Sequence, residues 1–229
     1  MPAHFTLASH TCDLSTFVFP ARRQMANPAH QANSEDKGPR AGLVGGKYEV
    51  KNRIAAGTFC TVYICKNVIT DEEVALRVDT TDGKHLEFEL RVNLALDGGI
   101  GIPRARWQGE DNDGHQAIAV DLLGPSLEDL FGYCGRKFSL KTVLTLAYQM
   151  FARIEHLHDR SFVHRDIKPH AFCMGLGKLG NQVHLVGLGT AKMYRDPKTR
   201  VGMPYADKRS LTGTWRFSSI RAMQGVGKC

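Results

Sequence analysis

The chain has 229 residues, 42% of them hydrophobic, which is enough for one sizeable domain, and no apolar run approaches the roughly 20 residues of a membrane span. Its six cysteines are scattered without a Cys-x-x-Cys pair, which favours a reduced, intracellular protein over a disulfide-rich or zinc-binding one. The net charge of +7 comes without an aromatic-interleaved strand or a recognised nucleic-acid motif, so we expect no nucleic-acid partner.

Residues 1–42 are predicted to be a disordered tail. Pro, Ala, Ser, Asn and His dominate, and no helical or strand period persists. The first 34 residues contain Arg22 and Arg23 but only one acid, Asp13, which leaves a mitochondrial transit peptide as an alternative. This stretch lacks the apolar segment of a secretory signal peptide, which disfavours secretion.

Residues 43–123 are predicted to form a small antiparallel β lobe. Short apolar or alternating runs separated by turn residues are typical of such strands, and leucines at helical spacing indicate one helix. An Asp-Asn-Asp-Gly turn at 111–114 separates the last two strands. The strands are predicted at 48–54, 62–64, 74–78, 107–109 and 117–121, and the helix at 85–96.

From Gly124 onward the pattern becomes helical. Ser126-Leu127-Glu128-Asp129 resembles a capping box at a helix start. Ser139 is a candidate N-cap for a long helix that reaches His158. Its apolar residues predict a long core-facing stripe, formed by positions 140, 143, 144, 147, 150, 151, 154 and 157.

The segment His164-Arg165-Asp166-Ile167-Lys168-Pro169-His170-Ala171 lies between this helix and the apolar run 183–186. Protein kinases keep their catalytic loop in this place, where an Asp takes the substrate hydroxyl proton and an Asn five positions later holds magnesium. Asp166 is present here, but the Asn position is Ala171, whose methyl group cannot bind a metal.

Together with that loop, four further stretches resemble the casein kinase 1 family of serine/threonine protein kinases, over about residues 45–221. The stretches are Gly98-Gly99-Ile100-Gly101-Ile102-Pro103, Leu122-Leu123-Gly124-Pro125-Ser126-Leu127-Glu128-Asp129-Leu130-Phe131, Arg136-Lys137-Phe138-Ser139-Leu140-Lys141-Thr142-Val143-Leu144 and Leu211-Thr212-Gly213-Thr214. The resemblance implies an α+β, two-lobed kinase fold with ATP between the lobes. Residues 43–123 would be the N-lobe and hinge, and 124–229 a partial C-lobe that ends after the activation segment.

The resemblance assigns nucleotide contacts to residues of the first lobe. The family's G-x-G-x-x-G stands here as Ala55-Ala56-Gly57-Thr58-Phe59-Cys60, so Gly57 remains while the Cβ atoms of Ala55 and Cys60 crowd the phosphates. Arg77 replaces the phosphate-binding lysine, and Glu89 is its partner, with Glu87 as the alternative. Asp121 and Leu123 belong to the hinge that would contact adenine.

The metal-binding Asp-Phe-Gly of kinases stands here as Gly187-Leu188-Gly189. With Ala171 in the loop, both side chains that normally hold magnesium are missing. We therefore expect no metal site, weak ATP binding at most, and no firm magnesium binding. His170 and His184 lie nearby in sequence, but imidazole is a poor ligand for a cation that prefers oxygen.

The remaining family positions are better preserved. Asp166 and Lys168 match the catalytic pair, although Asp166 could also persist only to stabilise its loop through hydrogen bonds. Arg209 and Arg216 match basic residues that hold a phosphate or acidic group on a substrate. Residues 192–221 contain eight Lys or Arg against two Asp, which predicts an acidic or phosphorylated protein partner, with a solvated basic loop as the alternative.

These observations lead to three hypotheses. The first is a casein kinase 1-like pseudokinase, cytoplasmic or nuclear, that acts as a binding or scaffold module. The second is a weakly active serine/threonine kinase that transfers the ATP γ-phosphate to acidic or phospho-primed proteins, and the third is a decayed duplicate without function. The C-terminal helices of the family are missing from the chain, so we expect part of the long helix to remain exposed to water and to favour a partner.

Overall fold

The computed structural model describes residues 39, 42–57, 59–81, 84–204 and 210–225. Of the tail expected over residues 1–42, only residues 39 and 42 fall within these ranges. Arg209 lies outside them. Among the helices described, none combines the length and the apolar character that a membrane crossing requires.

The first half of the chain builds an antiparallel sheet of six strands in the order β1-β2-β3-β4-β6-β5. Its strands are β1 (Leu43–Val44), β2 (Tyr48–Ala56), β3 (Cys60–Asn67), β4 (Glu73–Asp79), β5 (Ala105–Glu110) and β6 (Gln116–Asp121). Helix α1 (Lys84–Ala95) connects β4 to β5. The five predicted strands and the helix are all present, and β1 adds a sixth strand at the edge.

The burial of each strand explains its place in the sheet. Residues of β3 alternate between buried and half-buried, whereas most residues of β4 are buried. Strands β3 and β6 flank the edges of β4, and α1 packs on one face of the sheet. Leu86 and Leu90 of α1 pack with Ile118 of β6 to form this cover. Arg77 therefore lies in the middle of the sheet, opposite Val62 of β3 and Ile118 of β6.

The second half of the chain is mainly helical. Helices α2 (Leu127–Tyr133) and α3 (Leu140–Asp159) begin at the predicted caps. The Asp129 N–H donates to Ser126 Oγ at 3.2 Å, and the Thr142 N–H donates to Ser139 Oγ at 3.1 Å. Two antiparallel ribbons of two strands each follow α3, and a short helix comes after them. The ribbons pair β7 (Phe162–Val163) with β10 (Lys192–Met193) and β8 (Phe172–Met174) with β9 (Val183–Leu185), and the helix is α4 (Ile220–Met223).

The predicted core-facing stripe of α3 is only partly correct. Leu157 is fully buried, and Met150 and Ile154 pack against the same core cluster. Leu140 and Phe151, by contrast, are 74% and 75% exposed. The apolar residues of this helix divide between two faces, and the rest of the described fold covers one of them.

The architecture is thus a mixed α and β fold with an antiparallel sheet, as the sequence predicts. The finer expectation of a two-lobed kinase arrangement stays a prediction, and so do its lobe boundaries.

A cleft between the sheet and the loop after α3

A cavity of about 330 Å³ opens between the sheet, helix α1 and the segments that follow α3. This volume lies at the small end of the roughly 300–1,000 Å³ typical of ligand pockets. Most of the residues that the sequence singled out line this cavity, although they are separated by as many as 130 positions in the chain. These lining residues are Gly57, Cys60, Arg77, Glu89, Asp166, Lys168, Ala171 and Gly187.

Arg77 of β4 forms an ion pair with Glu89 of α1 in the lining of the cleft. Its Nη1 atom forms a short contact with Glu89 Oε1, and the two side chains are only 19% and 9% exposed. The same carboxylate oxygen accepts the backbone N–H of Leu188 at 3.2 Å. Burial is the largest single influence and would lower the pKa of Arg77, but Glu89 and Cys60 together outweigh it and raise the pKa, so the guanidinium stays charged.

The alternative partner, Glu87, has a different role. Its Oε1 atom lies 3.1 Å from Arg91 Nη2, one helical turn away on the exposed side of α1. Neither residue of this pair lines the cleft. Of the two candidates that the sequence left open, the fold brings Glu89 to Arg77.

The turn between β2 and β3 contacts α1. Gly57 donates its N–H to the Cys60 carbonyl at 2.9 Å, and the Phe59 ring stacks on His85 with centroids 4.1 Å apart. Cys60 Sγ lies 3.2 Å from Arg77 Nη2. The end of the turn thus occupies part of the space beside Arg77.

Asp166, Lys168 and Thr214 form a polar cluster on the opposite side of the cleft. Lys168 Nζ lies 2.6 Å from Asp166 Oδ2 and donates to Thr214 Oγ1 at 2.8 Å. The Thr214 N–H donates to Asp166 Oδ1 at 2.7 Å. Burial would raise the pKa of Asp166, but these partners lower it further than burial raises it, so the carboxylate is ionised at neutral pH.

His164 holds the loop that carries Asp166 through contacts of both its ring nitrogens. Its Nδ1 atom accepts the Asp166 N–H at 3.3 Å, and its Nε2 atom lies 3.0 Å from the Val186 carbonyl. The ring is 2% exposed, and burial lowers its pKa below the usual range. A neutral imidazole with its proton on Nε2 satisfies both contacts and links the Asp166 loop to the segment after β9.

Gly213 allows the cluster to form. Its φ angle is +98°, and a Cβ atom there would lie 2.3 Å from the carbonyl oxygen of Arg165. A side chain at this position would therefore push Thr214 away from Asp166. Leu211-Thr212-Gly213-Thr214 is one of the motifs quoted above, but no role for Thr214 was predicted from it.

Ala171 and Gly187 contribute no polar side chain to the cleft. Ala171 is 4% exposed and is held through its backbone, which accepts the Val186 N–H at 2.9 Å. Gly187 has the left-handed angles φ 78° and ψ 38°, and a Cβ atom at this position would meet nothing within 4 Å. The two positions that the predicted resemblance assigns to magnesium therefore offer a methyl group and a hydrogen atom.

One group of possible metal ligands lies elsewhere, in the turn between β5 and β6. Asp111, Asp113 and His115 bring their ligand atoms within 4.8 Å of one another, and no other such group occurs in the described ranges. Asp111 Oδ1, however, accepts the N–H groups of Asp113 and His115 at 2.9 and 2.8 Å. These hydrogen bonds belong to the turn itself, and they explain why the three side chains lie close together without a metal ion.

The other predicted residues lie outside the cavity. Asp121 contacts Arg106 Nε at 2.6 Å and accepts the Arg104 N–H at 2.9 Å, and Leu123 is half-buried on the connection to α2. Ala55 is exposed on β2, and Arg216 is exposed beside Phe217. Arg209 is not among the described residues.

Compared with models of known protein families, the chain matches none. The resemblance to casein kinase 1 therefore stays a prediction that depends on the motifs quoted above.

Proposed function

We propose that this chain is a casein kinase 1-like protein kinase domain that has lost efficient phosphotransfer and acts as a binding module, a pseudokinase. One observation carries the proposal. The cleft collects Arg77, Glu89, Asp166 and Lys168 in one cavity, and Ala171 and Gly187 stand there where a kinase has its metal ligands.

The donor set of the cleft does not fit a magnesium–nucleotide complex. Magnesium requires several oxygen ligands in octahedral geometry. The carboxylates that line the cavity belong to Glu89 and Asp166, and both already accept hydrogen bonds from cations and backbone N–H groups. The proposed function therefore gives magnesium no role in the cleft.

The phosphate-binding side of the cleft is altered as well. The Nη1 atom of Arg77 is engaged by Glu89 and its Nη2 atom by Cys60. Kinases have a lysine at this position, and its compact ammonium binds the phosphates. In this chain the two terminal nitrogen atoms of Arg77 contact Glu89 and Cys60 instead. These contacts support a structural role for Arg77.

Rate estimates favour the inactive form. Losing one preorganised electrostatic group costs roughly 10²–10³ in rate. Such losses are not additive, but a loss of even about 10⁴ would slow a kinase of ~10 s⁻¹ to one turnover in many minutes. The binding role is therefore the stronger proposal.

A thermal-shift titration tests it directly. The purified chain is melted with increasing ATP, with and without magnesium. We expect any stabilisation by ATP to be small and to be unchanged by magnesium. A clear magnesium-dependent rise in melting temperature would contradict the proposal. A chain without a cooperative melt in circular dichroism would instead favour the decayed duplicate.

The second candidate, a weakly active kinase, is favoured by one observation. Asp166, Lys168 and Thr214 keep their mutual contacts, with Asp166 ionised beside the cavity. Transfer of a labelled γ-phosphate to an acidic protein, abolished by Asp166→Asn, would establish this activity and defeat the pseudokinase proposal.

For the partner, we propose an acidic or phosphorylated protein bound by the basic segment 192–221, in which Arg216 is exposed. An intracellular, reducing compartment agrees with the described cysteines, none of which forms a disulfide: Cys60, Cys65, Cys134 and Cys173. Sensitivity of such binding to Arg216→Glu, with Arg91→Glu as a control on the far side of α1, would test this assignment.

A further inference from the structure

Helix α3 has apolar residues on two opposite faces. One face joins the core through Leu146 and Leu157, which are 6% and 0% exposed. The other face carries large apolar side chains spaced four, four and three residues apart, so they lie on one side of the helix. We call these residues the α3 stripe: Leu140 (74% exposed), Leu144 (60%), Tyr148 (80%) and Phe151 (75%).

The α3 stripe is long enough to form a helix–helix contact. It extends over eleven residue steps, about 17 Å at 1.5 Å per residue. A contiguous exposed apolar surface of this kind marks an interaction site more often than a free surface. Two such stripes facing each other would bury on the order of 1,000 Å² in total, close to the lower limit for a specific interface.

The charges beside the stripe are arranged symmetrically. Lys141 lies seven residues before Tyr148 and Glu155 lies seven residues after it, and both are exposed. Seven residues make nearly two helical turns, so both charges lie close to the line of the stripe. The helix therefore has opposite charges at equal distances from Tyr148.

We propose that the α3 stripe binds a second copy of this chain, with the two α3 helices antiparallel and a two-fold axis at Tyr148. In this arrangement Lys141 of each copy faces Glu155 of the partner subunit, and the pair occurs twice. A parallel arrangement would bring like charges together. The small area and the exposed ion pairs predict a weak, reversible dimer. This inference does not depend on the cleft, so it stands or fails separately from the proposed function.

Sedimentation equilibrium of the full chain at several concentrations tests the dimer. We expect wild-type protein to dimerise reversibly and Tyr148→Glu, which places two carboxylates at the axis, to be monomeric. Because Tyr148 is 80% exposed, the variant should keep the wild-type far-UV circular dichroism spectrum. A wild-type monomer at every concentration would overturn the proposal. A dimer that survives Tyr148→Glu would overturn it as well.

A charge swap tests the antiparallel register. Lys141→Glu and Glu155→Lys should each weaken dimerisation about tenfold, because each replaces two attractive pairs by two repulsive ones. The double variant restores both pairs with reversed signs and should dimerise as wild type does. A double variant that is no stronger than either single variant would overturn the proposed arrangement.

Discussion

The carboxylate of Glu89 on α1 joins Arg77 on β4 to the backbone of Leu188, and a single oxygen atom takes part in both contacts. Two consecutive elements, β4 and α1, and a segment 99 positions after Glu89 therefore meet at one buried charge. The proposed resemblance to kinases matches this pair to the one that orients their phosphate-binding lysine. Here the arginine is engaged by Glu89 and Cys60, and the pair holds the sheet, the helix and the segment after β9 together.

Glu89→Gln should destabilise the fold strongly. The substitution leaves the guanidinium of Arg77, 19% exposed, without its counter-charge, and removing one partner of a buried pair costs about 3 kcal/mol. Glu87→Gln is the matched control, because its pair with Arg91 is exposed and should contribute less than about 0.5 kcal/mol. Urea unfolding of both variants measures the difference. Equal losses would show that the Arg77–Glu89 pair does not stabilise the fold.

Gly213→Ala should disrupt the contact between Thr214 and Asp166. The new Cβ atom would lie 2.3 Å from the Arg165 carbonyl at a φ of +98°, and such strain costs about 1–3 kcal/mol. Gly132→Ala is the control, since this residue lies within α2 and nothing is within 4 Å of its Cβ position. There alanine should stabilise the helix by up to about 1 kcal/mol. Thermal melts of the two variants should therefore shift in opposite directions.

Asp166 should contribute to stability in a way that depends on pH. Its pKa is lowered in the folded chain, so between the folded and unfolded pKa values the unfolded chain binds more protons. The stabilisation is present above the unfolded pKa and is lost as the pH falls through the folded pKa. The unfolding free energies of wild type and Asp166→Asn, measured from neutral pH to pH 2, should therefore converge at the acid end. Curves that stay parallel over this range would contradict the assigned contacts.

Under the proposed function, introducing the residues that kinases have at three cleft positions should produce magnesium-dependent nucleotide binding. The variant combines Gly187→Asp, Ala171→Asn and Arg77→Lys. Space for a side chain exists at Gly187, and aspartate tolerates its left-handed backbone better than most residues do. With ATP at 100 times its Kd, binding would stabilise the fold by about 2.7 kcal/mol.

The matched control for this restoration carries Gly187→Ala with the other two substitutions. It also places a Cβ atom on the left-handed backbone but has no carboxylate, so ATP with magnesium should not raise its melting temperature. A restored variant that folds but behaves like this control would show that the missing carboxylate is not what prevents nucleotide binding.

Local patterns in the sequence were sufficient to predict most of the elements. The caps at Ser126 and Ser139 are confirmed, because a capping hydrogen bond depends on residues only three positions apart. The five strands and α1 are confirmed for a similar reason, since alternation and helical spacing are local properties. Strand β1 was missed because two residues are too few to show a period.

The tertiary structure decided what depends on distant contacts. The sequence left Glu87 and Glu89 as alternatives, and the packing of α1 on the sheet placed Glu89 at Arg77 and Glu87 at the surface. It also divided the apolar residues of α3 between the core and the α3 stripe, because a helix buries only the faces that other elements cover. Composition and spacing determine which segments become helices and strands, but they do not say which side chains meet across a fold. Thr214 contacts Asp166 from 48 positions away, and only the folded chain brings those two residues together.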